Sequence, residues 1–137
     1  MSTYTKILYQ VVFGSKNHVP FLTNENQDIL YGYIGGILKN KKCHPYIVGG
    51  YGNHVHIIFS LHPSVALSGL IKDIKKASHE MMMKEKNTFR FFPGWQVGYG
   101  AFTYSSDSKI VLVRYVKNQH QHHKKKTFKE ELIEYYK

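Results

Sequence analysis

Apolar residues in this chain recur at two spacings, alternate and helical, and the switches between them mark out the elements. Residues 6–13, Lys-Ile-Leu-Tyr-Gln-Val-Val-Phe, are rich in strand formers and stop at Gly14, which predicts a first strand. Thr23 or Asn24 then caps a helix in which Ile29, Leu30, Tyr33, Ile34, Ile37 and Leu38 recur at helical spacing. Gly32, Gly35 and Gly36 weaken that helix intrinsically and suggest close packing against a sheet. Two apolar runs, 44–49 and 54–60, flank Gly50-Tyr51-Gly52-Asn53 and predict an antiparallel hairpin. After Pro63-Ser64, the residues Leu67, Leu70, Ile71, Ile74, Ala77, Met81 and Met82 form an amphipathic stripe that runs to about Lys84, with the methionines as core packing.

Pro93-Gly94 breaks the chain, and Val97 to Tyr104 predicts a further strand whose glycines suggest a bulge or a close backbone approach. Ser105, Ser106 or Asp107 caps the next helix, with Ile110, Val111, Val113, Arg114, Tyr115 and Asn118 running on to Gln119. Thr127-Phe128-Lys129-Glu130 matches a capping box ahead of Leu132, Ile133 and Tyr136, so a short amphipathic helix is expected at the end. There is no internal repeat. The order strand, helix, strand, strand, helix, strand is that of the split β-α-β, ferredoxin-like arrangement: an α+β fold with an antiparallel sheet and helices on one face. Additional C-terminal helices follow, the first of them carrying Tyr115.

Within the second hairpin strand, His54 and His56 stand two residues apart. On an extended chain they project together, while Val55, Ile57 and Phe59 point the other way. Two neutral imidazoles side by side can grip one divalent cation. They can equally be two polar residues on the solvated face of a half-buried strand. If the odd-numbered side chains pack under the helices, whatever completes a site with the histidines must approach from the opposite face.

Composition narrows the partners. At 137 residues the chain fits one domain, 1–137, long enough to bury a core without staples. A single cysteine, Cys43, forms no internal disulfide, and the start lacks the charged and apolar stretches of a secretory signal. No apolar run approaches the roughly 20 residues that cross a bilayer, so a cytoplasmic location is expected. Lys and Arg outnumber Asp and Glu by 19 to 9, a formal charge of +10, which favours a polyanionic partner. With 11 Tyr and 8 Phe as well, a basic groove lined with rings suits single-stranded nucleic acid. The alternative is that the rings fill the core and the lysines keep the surface soluble. The nine acidic residues are scattered, which disfavours the two-metal carboxylate clusters of many nucleases.

Tyr115 and Gln119 lie four apart on their expected helix, so one face presents a phenol and an amide oxygen together. A Gln oxygen is an acceptable ligand for Mg²⁺ or Mn²⁺, and with His54 and His56 it makes three neutral protein ligands. Such a site leaves the metal's charge available to polarise a phosphodiester. Tyr135 and Tyr136 read as packing. His120, His122 and His123 lack a fixed spacing to a fourth ligand and suggest a solvated or DNA-facing cluster rather than a zinc site.

Taken together, His54-Val55-His56, Gly94-Trp95-Gln96-x-Gly98-Tyr99-Gly100, Tyr115-Val116-Lys117-Asn118-Gln119, His122-His123-Lys124-Lys125 and Thr127-Phe128 span essentially the entire chain. In order and spacing they resemble the single-tyrosine HUH transposases of small bacterial insertion sequences. That resemblance implies a metal-dependent DNA transesterase in which Tyr115 attacks a phosphodiester of single-stranded DNA, leaving a 5′-phosphotyrosine link and a free 3′-hydroxyl. It implies His54, His56 and Gln119 as ligands of Mg²⁺ or Mn²⁺. A free phenol has a pKa near 10, and Arg114 and Lys117 are candidates to stabilise the phenolate, although on a helix they point roughly 100° and 200° away from it.

The resemblance further implies recognition of DNA hairpins at element ends, with Lys39, Lys41, Lys42, Lys72, Lys75, Lys76, Arg114 and Lys117 as candidate contacts. It implies a homodimer, in which the tyrosine helix can complete the partner subunit's histidine site through a hinge at Tyr104-Ser105-Ser106-Asp107. Two rivals are a domesticated HUH nicking enzyme and a non-catalytic, ferredoxin-like module that binds single strands through its basic, aromatic face.

Overall fold

The computed structural model describes residues 3–118. Four strands, β1 (Leu8–Gly14), β2 (His44–Tyr51), β3 (His54–Ser60) and β4 (Gly100–Tyr104), form one antiparallel sheet in the order β2-β3-β1-β4. Helix α1 (Gln27–Asn40) connects β1 to β2, and α2 (Leu67–Lys84) connects β3 to β4. This is the expected ferredoxin-like arrangement, and α2 ends where the amphipathic stripe predicts. The final helix expected at Thr127 lies outside the described residues, as do His120, His122, His123, Tyr135 and Tyr136.

Alternation along the strands sorts the side chains onto two faces. Val11 and Phe13 of β1 and Val55, Ile57 and Phe59 of β3 meet Leu30, Ile34 and Leu38 of α1 and Leu70, Ile71 and Ile74 of α2 in the main core. Trp95 and Phe92 seal one end of this core against Phe21, and the Trp95 indole donates to Ser78 Oγ at 3.0 Å. The other face carries Leu8 and Ile58, and a third helix, α3 (Lys109–Lys117), lies across it with Leu112 and Val116 buried against them. Among the described residues, helices therefore cover both faces of the sheet, two on one and one on the other.

Three local expectations are revised. Helix α1 starts later than Thr23: Thr23 and Asn26 exchange bonds, Asn26 N–H to Thr23 Oγ1 at 3.1 Å and Thr23 N–H to Asn26 Oδ1 at 2.7 Å, which builds the turn ahead of it. Gly32, Gly35 and Gly36 do not serve close packing, because a Cβ added at any of them meets nothing within 4 Å. The strand expected from Val97 begins only at Gly100. Gly98 adopts φ +90, and Lys75 Nζ captures the carbonyls of Gln96 at 2.8 Å and Gly98 at 2.5 Å, drawing this backbone out of the ladder.

Candidate functional site

The hairpin between β2 and β3 is tighter than its four-residue spacer suggests. Tyr51 pairs with His54, so only Gly52 and Asn53 turn, with Gly52 at φ +64, a conformation that glycine adopts without a Cβ clash. His54 is thereby set at the very start of β3, directly after Asn53. In register, His56 stands opposite Val12 of β1 and Gly49 of β2.

Both histidines are buried, His54 at 0% and His56 at 1% relative exposure, which removes the reading of two polar side chains on a solvated face. Their rings lie side by side, centroids 4.9 Å apart. Above them runs α3, and the Tyr115 ring stands 6.1 Å from that of His56 at a steep angle. Three of the four predicted site residues are thus brought together within one chain. Gln119, the fourth, lies outside the described residues.

Gly49 is what lets α3 come this close. A Cβ added there stands 2.7 Å from Val116 Cγ1 and 3.4 Å from the Val116 carbonyl oxygen, so the tyrosine helix rests on bare β2 backbone beside His56. The short segment from Ser105 carries the chain from β4 to α3. Ser105 Oγ accepts from Asp107 N–H at 3.1 Å, which caps the single turn Ser106–Ser108 that feeds α3.

Hydrogen bonds orient both imidazoles. Asn53 Nδ2 donates to the His18 carbonyl at 3.1 Å, so its other end, Oδ1, faces His54 Nδ1 at 2.9 Å. A carboxamide oxygen only accepts, so His54 Nδ1 carries a proton, and in the neutral ring Nε2 keeps its lone pair. That is the tautomer a metal ligand needs. His56 Nδ1 lies 3.0 Å from Nε2 of Gln10, a fully buried residue of β1. Neither amide is signalled by sequence: Asn53 reads as a turn residue, and Gln10 is one polar residue in an apolar strand, 46 positions from the ring it touches.

The donor set fits a divalent cation as far as it is described. It offers two neighbouring imidazoles, one with its tautomer fixed, beneath a phenol. Among the described residues no group of three His, Cys, Asp or Glu side chains gathers at one point.

The basic candidates separate by face. Lys39, Lys41, Lys42, Lys72 and Lys76 are exposed on the α1–α2 layer or just beyond α1, on the side of the sheet away from the histidines. Lys41 pairs with Asp73 at 3.0 Å. Lys75 is occupied by the two loop carbonyls and stacks over Phe13 at 5.3 Å, and burial pulls its ammonium pKa below the ordinary value. Arg114 and Lys117, exposed on α3, instead line a cavity of about 450 Å³ with Tyr46 and Lys109 on the histidine side of the sheet. Among the described residues no helix is long and apolar enough to cross a membrane.

Two solved structures share this fold. A structure assigned provisionally as a transposase from Deinococcus radiodurans R1 superposes with a TM-score of 0.69 at 20% identity, covering 87% of this chain and 95% of that one. A REP-associated tyrosine transposase bound to a REP hairpin superposes with a TM-score of 0.60 at 17% identity, covering 90% of this chain and 74% of that one. No curated protein matches the sequence. The family model described as "Transposase IS200 like" matches residues 3–119, and the chain belongs to that family.

Proposed function

We propose that this transposase cuts and rejoins single-stranded DNA through Tyr115, with His54, His56 and Gln119 as ligands of a divalent cation, Mg²⁺ or Mn²⁺. The observation that carries the reading is the Tyr115 ring 6.1 Å from His56, over a histidine pair that is wholly buried. A module that only binds strands has no use for two buried imidazoles packed under a phenol, since burying polar groups costs stability.

In the proposed reaction the Tyr115 oxygen attacks phosphorus and the bond to the 3′ oxygen breaks. The phenol proton leaves to water, and the departing 3′ oxygen takes one up. The 5′ phosphate stays esterified to Tyr115, so a 3′-hydroxyl can later attack the same phosphorus and return the phenol, with no nucleotide cofactor. When bound, the cation would polarise the scissile phosphate. His54 and His56 would hold it from β3, and α3 sets the phenol beside His56. Arg114 and Lys117, at the rim of the Tyr46 cavity, suit the phosphates of an entering strand. Hairpin DNA is the favoured substrate because a structural neighbour was solved bound to a REP hairpin.

The test is to incubate the protein with Mg²⁺ and a labelled single strand carrying a hairpin, then look for a covalent adduct on a denaturing gel. Wild type forms the adduct and Tyr115→Phe does not; an adduct that survives Tyr115→Phe overturns the nucleophile. His56→Ala abolishes cleavage and leaves hairpin binding largely intact. Equal loss of binding would make that histidine a DNA contact or a structural residue instead.

A further inference from the structure

Asn53 and Gln10 play parallel parts at the two imidazoles, with one difference. The Asn53 amide is locked, because its nitrogen is committed to the His18 carbonyl. Gln10 has no such second anchor. It is fully buried, its Nε2 faces His56 Nδ1 at 3.0 Å, and among the described residues its Oε1 has no hydrogen-bond partner. A half-turn of the amide exchanges oxygen and nitrogen at His56 while keeping the one hydrogen bond. Amide orientation and ring tautomer are therefore tied to each other.

The two orientations differ in what His56 offers. With the amide nitrogen on Nδ1, that ring nitrogen accepts, the proton sits on Nε2, and Nε2 is closed to a cation. With the amide oxygen on Nδ1, the ring donates from Nδ1 and Nε2 presents its lone pair, matching the state that Asn53 imposes on His54. Stability alone does not explain a glutamine at this place. Its β1 neighbours Leu8, Val11, Val12 and Phe13 are buried apolar residues, and a half-satisfied buried amide costs more than an apolar side chain of similar size.

We propose that Gln10 is a positioning residue for the cation site: its carboxamide, with the oxygen turned to Nδ1, holds His56 in the tautomer whose Nε2 binds the metal. The inference rests on the proposed metal role of His54 and His56.

Mn²⁺ binding to the full chain, followed by calorimetry and by the electron-spin signal of the free ion, tests it alongside hairpin binding in EDTA as a control for folding. Gln10→Leu weakens Mn²⁺ binding by about 10- to 100-fold, the usual effect of removing a residue that orients a ligand, and leaves hairpin binding unchanged. Gln10→Glu, which keeps an acceptor against Nδ1, binds Mn²⁺ at least as tightly as wild type. Wild-type affinity in Gln10→Leu overturns the proposal, and so does a loss in Gln10→Glu as large as that in Gln10→Leu, which would mark a packing role. The ring itself provides a readout that needs no variant: with Mg²⁺ present, nitrogen-15 spectra of the wild-type chain place the His56 proton on Nδ1, and a proton on Nε2 overturns the proposal. Wild-type Mn²⁺ binding in His56→Ala would instead bring down the metal reading on which it rests.

Discussion

At the scale of single residues, the lysines decide how DNA recognition should be tested. Lys72, Lys75 and Lys76 look alike in sequence, three cations within five positions of one helix. Their surroundings differ. Lys75 donates to the carbonyls of Gln96 and Gly98 and lies over Phe13, whereas Lys72 and Lys76 are exposed. Releasing one phosphate contact lowers the slope of log affinity against log salt by about 1. Lys72→Ala or Lys76→Ala should produce that change in hairpin titrations if the α1–α2 layer touches DNA. Lys75→Met should leave the slope unchanged and lower stability by about 1–3 kcal/mol in denaturant melts, as two charge-assisted bonds are lost. A reduced slope for Lys75→Met would return that residue to the DNA surface. The pH dependence has a definite sign as well. Burial lowers the Lys75 pKa, so the folded chain holds this proton less tightly than the unfolded chain does. This group's contribution to stability therefore rises with pH between its lowered pKa and 10.5. The difference between wild type and Lys75→Met should widen in wild type's favour over that range.

At the scale of elements, the placement of α3 on β2 controls the site. A Cβ at Gly49 would stand 2.7 Å from Val116 Cγ1, and a valine, stiff at χ1 and 2% exposed, has little room to turn aside. Gly49→Ala should lift α3, cost about 1–3 kcal/mol as overpacking does, and reduce adduct formation by roughly 100-fold through misplacement of the phenol. Hairpin binding should hold, and adduct yield near wild type would show that α3 can slide without harm. Glycines in α1 carry the opposite expectation. Gly32 and Gly36 face open space in a helix, so alanine at either should add about 0.5–1 kcal/mol in thermal or denaturant melts. These contrasts show where the sequence was readable. The β3 strand and α2 follow from local spacing, because one periodic face is buried on a single continuous surface. The resting place of α3 depends on the absence of a side chain at Gly49, 67 positions before Val116, and no local pattern carries such a fact. The same holds for Gln10 and His56. Val97 and Tyr99 alternate as a strand would, yet the Lys75 ammonium and the φ +90 of Gly98 override that propensity. His54, His56 and Tyr115 were legible as candidates because each motif places its side chains on one face of a strand or helix, but spacing alone left other readings open and the family resemblance joined them into one site.

At the scale of the whole molecule, the unequal covering of the sheet bears on whether the site is completed within one chain or between two. Among the described residues one face is closed by α1 and α2 over a broad core, the other by α3 through Leu112 and Val116 against Leu8 and Ile58. Burying two such side chains is worth roughly 3–6 kcal/mol. That is enough to hold the helix down and small enough for it to lift and re-seat during a reaction. A second copy could offer the same seat, but the chain's own sheet has the advantage of the short Ser105–Ser108 connection, which keeps α3 at an effective concentration of about millimolar. The expected arrangement is therefore Tyr115 serving the histidines of its own chain. Mixing Tyr115→Phe with His56→Ala protein decides it, since one supplies intact histidines and the other an intact tyrosine. Assembly within a chain leaves every site in the mixture defective, so the adduct stays at the background of either variant alone. Exchange of α3 in a dimer would unite the two intact halves and restore a sizeable fraction of wild-type adduct. That result would show that the cluster around Leu112 and Val116 is a seat shared between subunits, and that the connection after β4 works as a hinge.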